Sequence, residues 1–548
     1  MSWLRKRSAP AADHGANEIA DLFGMPSSKK SASSWVRPVK RLTRRHTPLD
    51  TDPPVDTLTG QMLKTGQTLE QFAKHIVHCG VLKMGRPSFK GSMTVASMCH
   101  GSAMDVVALH ALGEALQAQD IPVSFTCILS CEIEPKKRLW CQRVLDKVDP
   151  NGDACVLDDM TKICNGTATC SRHNGQKCTL NERVDGLIVG FSCKDASKAN
   201  QNRSKLASTL FTSSTSPGKT NDTVVATLNF IDKHLPEWIL LENSDTLDES
   251  DHVVGLELLL SELASRGYDP MPFLIDGSEY ALPQIRKRMY ILCLLRPGRR
   301  FKISNYELLN KRVGELLLHF KLGSPSLLES LLSSDHDCVA KELEIRQASG
   351  PSKGWESSSI DIHRKAWQKE GKIWAASKAS QEDQDSPWWK SVNARARDIL
   401  ALNQHTNRGQ DQAFRLIGCD LSQSPGRAST TVLNGKGQLS SPTILPKSVV
   451  WISHPGFHRP ILGVESMMLQ GWPILHPRWQ EHLALYSNDN AMLQSLAGNA
   501  FPGTVIQAIL AAMLFGLDFE VEEKLEDVCT SAEAIASAFD LLNSCNKT

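Results

Sequence analysis

The chain has 548 residues, 41% hydrophobic and 22% charged, with a formal net charge of +1. That length exceeds one typical core, so two or more structural units are expected, and the near-neutral balance confines any nucleic-acid footprint to local patches. Fifteen cysteines are too sparse for a small disulfide scaffold, no signal-peptide pattern opens the chain, and the longest apolar stretch is too short to span a bilayer. A reducing intracellular compartment and no membrane role are therefore expected.

Residues 1–90 are read as a basic, largely disordered segment. Lys40-Arg41-Leu42-Thr43-Arg44-Arg45 suits a nuclear-import signal, a phosphate-binding arm or a merely solvated tail. From residue 91 short apolar runs alternate with helix-like segments. Strands are expected at 92–98, 125–131, 154–157, 186–189, 238–241, 273–275 and 289–294, with helices near 103–119, 136–148, 221–235 and 253–266. This alternation implies a mostly parallel sheet covered on both faces, an α/β core over 91–299. Residues 300–440, rich in Ser, Asp, Gly and Trp, break the pattern and read as an inserted region. Helical periodicity returns over 463–469 and 503–514, so 441–518 rejoins the core and 519–548 forms a tail.

The chemistry concentrates at the ends of these strands. Cys193 lies in Gly190-Phe191-Ser192-Cys193-Lys194, just after an apolar run, where a doubly wound sheet carries its ligands. A lone cysteine there is most often a small buried hydrophobe. Downstream, in order, stand Leu241-Glu242-Asn243, Gln284-Ile285-Arg286-Lys287-Arg288 and Gly498-Asn499-Ala500. This ordered set resembles the cytosine-C5 DNA methyltransferase family. The resemblance implies a Rossmann-like, S-adenosylmethionine-dependent sheet whose inserted region, 300–440, recognises the target.

On that resemblance, Cys193 is the nucleophile, Glu242 reads the base, and Arg286 and Arg288 hold the base, the catalytic loop and the flanking phosphates. Ser192 and Lys194 stand where the family usually has Pro and Gln. A Lys ammonium near sulfur favours the thiolate, and loss of the Pro frees a backbone N–H. The methyl donor, S-adenosylmethionine, would meet Gly101 and Ser102 after the first strand and Glu132 and Ile133 after the second. Asp159 and Met160 after the third strand, and Asn499 near the C-terminus, complete the donor set.

Cys164, Cys170, His173 and Cys178 could supply four soft ligands, but their spacing matches no strong finger signature, so a free-thiol loop and no metal are expected. The partner expected is double-stranded DNA, with a tRNA-like RNA or a catalytically silent nucleic-acid scaffold as alternatives. The expected location is the nucleus, or the cytoplasm if the source is not eukaryotic.

Overall fold

The structure is a computed structural model that describes residues 39–41, 60–87, 89–180, 183–192, 219–249, 253–349, 365, 368, 379–406, 417–422, 432–433 and 439–517. A ten-stranded sheet forms its centre. The strands are β1 (Lys40–Arg41), β2 (Gly91–Met98), β3 (Val123–Cys131), β4 (Cys155–Leu157), β5 (Thr169–Cys170), β6 (Gln176–Lys177), β7 (Gly186–Val189), β8 (Trp238–Ser244), β9 (Tyr268–Asp276) and β10 (Lys287–Leu295). Their order is β1-β9-β10-β8-β7-β2-β3-β4-β5-β6. Strands β8, β7, β2, β3 and β4 pair in parallel, and β10 runs antiparallel between β8 and β9. The parallel centre is the one expected from the alternation of elements, it agrees with the Rossmann-like sheet that the resemblance implies, and β10 makes the whole sheet mixed.

Both faces are apolar because both are covered. On β7 and β8, Ile188 and Leu240 face a core completed by helices Thr68–Met84, Met104–Gln117 and Gly503–Gly516. Their neighbours Leu187, Val189, Ile239 and Leu241 face the opposite core with helices Lys219–His234 and Val253–Ser265. The period of two along each strand thus divides one apolar run between two cores. The run Asn490–Gly516 has the length and mean hydropathy, 1.4, of a membrane span, but 94% of that window is buried inside the protein.

Several boundaries differ from the sequence expectation. Helix Thr68–Met84 falls in the segment read as disordered, yet Phe72, Ala73, Ile76 and Val77 are fully buried. These positions form a helical stripe, and Gly80 lets the Phe515 ring approach: a Cβ there would lie 2.5 Å from it. Lys40 and Arg41, part of the basic cluster, form a strand parallel to β9. The Lys40 ammonium donates to the Asn310 carbonyl at 2.8 Å. The remaining arginines of that cluster, Arg44 and Arg45, lie outside the described residues.

Strand β9 extends well beyond 273–275. Pro270 and Pro272 share parity, so both missing N–H groups fall on one edge of the strand; β1 covers β9 only at Phe273 and Leu274, which leaves that edge tolerant of proline. Finally, helix Tyr306–His319 packs Leu309, Val313, Leu316 and Leu317 into the sheet's own core. Residues of 301–320 thus pack in the core, where the sequence reading starts an inserted region.

Candidate active site

Chain order places β3 and β4 on one side of β2, and β7 and β8 on the other. The carboxyl ends of β2 and β7 thus flank the switch point at which such sheets bind ligands. Two loops leave from it.

The first, after β2, turns through Cys99, Gly101 and Ala103, all left-handed at φ +55°, +61° and +56°. Left-handed backbone costs a non-glycine residue roughly 1–2 kcal/mol, so this turn needs external support. Buried His100 provides some of it. Its Nδ1 meets Asp105 Oδ1 and Ser97 Oγ, both at 2.9 Å, and its Nε2 meets Ser130 Oγ at 2.9 Å. Ser97 also donates to Asp105 Oδ2. Burial opposes a charge on His100, but Asp105 outweighs it, helped by Cys141, and holds the imidazole well above its ordinary pKa. Further support comes at Ser102, whose carbonyl accepts from the indole N–H of Trp140 at 2.9 Å and of Trp472 at 3.2 Å. At Gly101 a Cβ would stand 2.8 Å from the Asn499 Cβ. Asn499, almost 400 residues away in sequence, does close this turn from the C-terminal side.

The two acids at the ends of β3 and β4 differ in their commitments. Glu132 Oε1 accepts from the Glu134 N–H at 3.1 Å, which orients the carboxylate. Beside it Ile133 is 70% exposed, an apolar face at the crevice. Asp159 caps the following turn: its Oδ1 accepts from Thr161 N at 3.0 Å and Thr161 Oγ1 at 2.7 Å, and its Oδ2 lies 3.4 Å from Lys162 Nζ. Met160 Sδ lies 3.2 Å from Cys99 Sγ, joining the end of β4 to the turn after β2. Burial, then Glu132 and Asp159, pushes the Cys99 thiol up to about 12, which leaves it protonated and a poor competitor for a catalytic thiolate.

The second loop leaves β7 toward Cys193. Gly190 sits where a Cβ would meet the Phe501 ring at 2.8 Å and the Cys99 carbonyl at 3.0 Å. Asn243 Nδ2 donates to the Phe191 carbonyl at 2.9 Å. The Ser192 N–H, freed by the absence of proline, donates to Thr223 Oγ1 at 3.1 Å. Sequence reasoning assigned no role to Asn243 or Thr223; the adjacency of Asn243 to Glu242 was the available signal. Cys193 and Lys194 themselves lie outside the described residues.

At the end of β8, Glu242 lies opposite Tyr290 of β10 and 3.2 Å from Arg288 Nε. Burial raises the Glu242 pKa, while Arg288 and then Arg286 work against that rise. The two arginines have separate tasks. Arg288 faces the carboxylate. Arg286 is buried, and its guanidinium donates to the carbonyls of Ile444 at 3.0 Å, Gly498 at 3.3 Å and Ala500 at 2.8 Å. It ties the segment before β10 to the stretch that carries Asn499. The sequence expectation has both arginines hold the base, the catalytic loop and the flanking phosphates; among the described residues Arg286 is bonded to three backbone carbonyls, while Arg288 faces Glu242.

A family model described as C-5 cytosine-specific DNA methylase matches residues 109–514. The chain is similar to DNA (cytosine-5-)-methyltransferase DMT5 of Cryptococcus neoformans var. grubii, 23% identical over 445 residues, covering 77% of this chain and 17% of that protein. It is likewise similar to the DMT5 of Verticillium dahliae, 23% identical, covering 77% of this chain and 19% of that one. It thus spans under a fifth of the length of those relatives. Among solved structures, the Entamoeba histolytica methyltransferase EhMeth is 11% identical, covering 77% of this chain and 98% of that one, with a TM-score of 0.36. With the family match covering most of its length, the chain belongs to the C-5 cytosine-specific DNA methylase family, as a divergent member.

Proposed function

We propose that this chain methylates C5 of cytosine in DNA, with S-adenosylmethionine as methyl donor, through a covalent adduct between Cys193 and C6 of an extruded base. One observation carries the reading. The turn closed by Gly101 and Asn499, the anchored loop that leads to Cys193, and the Glu242–Arg288 pair meet at one switch point of the sheet.

Cytosine C5 is a weak nucleophile. Addition of the Cys193 thiolate to C6 breaks the C5–C6 double bond and sends its electron pair to C5. Burial, which raises the Glu242 pKa, favours a carboxyl that can give a proton to N3, where charge would otherwise build. Once C5 is methylated, it loses its hydrogen as a proton and Cys193 leaves C6, restoring the ring. Extrusion is required because C6 is inaccessible within the stack. S-adenosylmethionine, when bound, supplies an electrophilic methyl group. Glu132, with Oε1 already held, would turn Oε2 to the ribose hydroxyls, Ile133 would lie against the adenine, and Asp159 and Met160 would border it. Gly101, where a side chain would press on Asn499, and Ser102 beside it would border the donor from the turn after β2.

The test is methyl transfer from labelled donor to DNA and RNA offered in parallel. Transfer to cytosine in DNA is expected. Transfer to RNA alone would replace the substrate, and donor binding without transfer to either would mark a silent scaffold.

A further inference from the structure

Beyond β4 the sheet is extended by a small antiparallel hairpin, β5 and β6, with Leu157 opposite Cys170 and Cys170 opposite Gln176. Asn174 and Gly175, both left-handed at φ +53° and +78°, turn it. This fold gathers Cys155, Cys170, His173 and Cys178, whose ligating atoms all lie within 4.8 Å of one another. Cys164, which the sequence grouped with the last three only as a candidate set, lies apart. It packs against the core beneath helix Lys219–His234, where Lys233 Nζ donates to its carbonyl at 3.1 Å. Cys155 takes its place, brought in from the start of β4.

The geometry points to a structural zinc site formed by three cysteine thiolates and His173. His173 Nδ1 lies 3.8 Å from Cys155 Sγ, 3.4 Å from Cys170 Sγ and 3.1 Å from Cys178 Sγ. In a tetrahedral zinc site with ordinary Zn–S and Zn–N bonds, the N···S edge is about 3.6 Å. The other ring nitrogen, Nε2, stands 2.7 Å from Asp153 Oδ1. A carboxylate there accepts the Nε2 proton and aims the Nδ1 lone pair at the metal, the usual support for a zinc-bound imidazole. The Val156 N–H donates to Cys170 Sγ at 3.3 Å, a bond that a thiolate accepts better than a thiol.

Without a metal, only weak S–H hydrogen bonds would hold the four side chains together. One imidazole lone pair accepts from at most one S–H, yet three sulfurs converge on it. A disulfide would use two sulfurs and strand the third with the histidine. Three sulfurs and one nitrogen in a tetrahedral set select zinc over the hard, oxygen-seeking cations. Binding displaces three thiol protons to solvent and leaves His173 neutral. The consequence is mechanical: the metal fastens the hairpin to β4, the strand that runs directly into Asp158, Asp159 and Met160. Asp158 joins the same fastening, accepting from Thr169 N at 2.9 Å and Thr169 Oγ1 at 2.6 Å.

The experiment is elemental analysis of the full chain, purified without chelator under reducing conditions, beside Cys178→Ser and Cys164→Ser. One zinc per chain is expected in the wild type and in Cys164→Ser, and less than a tenth of that in Cys178→Ser. Cys178 and Cys164 are both half-buried against the same core, so the two replacements perturb packing to a like degree and differ in the cluster alone. Cobalt(II) added to the stripped wild-type chain provides a second readout, and an intense thiolate-to-metal charge-transfer band is expected. A wild type without stoichiometric zinc or that band overturns the site, and so does zinc lost from Cys164→Ser but retained in Cys178→Ser.

Discussion

At the residue scale, each group at the switch point has a physical task that a single replacement exposes. Cys193→Ala should abolish methyl transfer with the fold intact, because no other described thiol there is activated; Cys99, the nearest in the turn, is held protonated. DNA bearing 5-fluorocytosine should trap Cys193 as a covalent adduct, read by mass spectrometry of the digested complex. An adduct on any other cysteine would refute the assignment. Glu242→Gln keeps shape but cannot hand a proton to N3, so turnover should fall on the order of 10²-fold with base affinity little changed. Its pH signature follows from linkage. Burial raises the folded pKa of Glu242, so the stability associated with its protonated form is complete below the unfolded value, about 4.3. It is lost as pH rises through the folded value. The melting-temperature difference between Glu242→Gln and wild type should therefore shift in favour of the variant as pH rises from about 4. A difference independent of pH would show that the carboxyl is not perturbed.

At the scale of elements, the turn after β2 shows why its conformation is legible only in part. A glycine before a helix signals a turn, and Gly101 fulfils that signal. The contact that makes it obligatory, the Asn499 Cβ, comes from the far end of the chain and leaves no local trace. The same holds for helix Thr68–Met84: its stripe is short, diluted by Lys74, His75 and His78, and meaningful only against the late helix Gly503–Gly516. The parallel strands were readable because double-sided burial writes continuous apolar runs, whereas β9 was masked by two prolines that an edge tolerates. The bonds of Arg286 to three carbonyls were not legible, because backbone acceptors leave no mark in sequence. Cys155 looked like a strand residue because the hairpin that approaches it cannot be placed by spacing. Two tests belong here. Gly101→Ala combines left-handed strain with a clash against Asn499 and should weaken donor binding at least tenfold by calorimetry; unchanged affinity would mean that the turn lies outside the donor site. Asp105→Asn removes the carboxylate that sustains His100 and should cost about 3–5 kcal/mol, the scale of breaking a buried pair. Denaturant unfolding decides it, and a loss under 1 kcal/mol would show that the hub is dispensable.

At the scale of the whole molecule, the turn after β2, the helix after β3 and the segment that carries Trp472 are joined through one aromatic cluster. Trp140 of helix Pro135–Val148 and Trp472 both donate to the Ser102 carbonyl. His482 of helix Gln480–Tyr486 stands edge-on to Trp140 with ring centroids 4.4 Å apart, and 5.8 Å from the Trp479 ring. Burial there, reinforced by Arg143 and Lys147, lowers the His482 pKa to about 4. The unfolded chain titrates this group near 6.5. Because the folded value is the lower one, the stabilisation is complete above about 6.5 and is lost as pH falls through the window between the two values. From pH 7 to pH 5 the loss from this group alone comes to about 2 kcal/mol. His482→Phe keeps an aromatic ring in the cluster and removes the proton site, so urea unfolding of the variant should lose about 2 kcal/mol less over that interval than wild type does. Donor affinity should follow, since protonation of His482 loosens the indoles that hold the Ser102 carbonyl. If wild type and variant lose stability in parallel between pH 7 and pH 5, the cluster does not couple the Trp472 segment to the turn after β2 through this histidine.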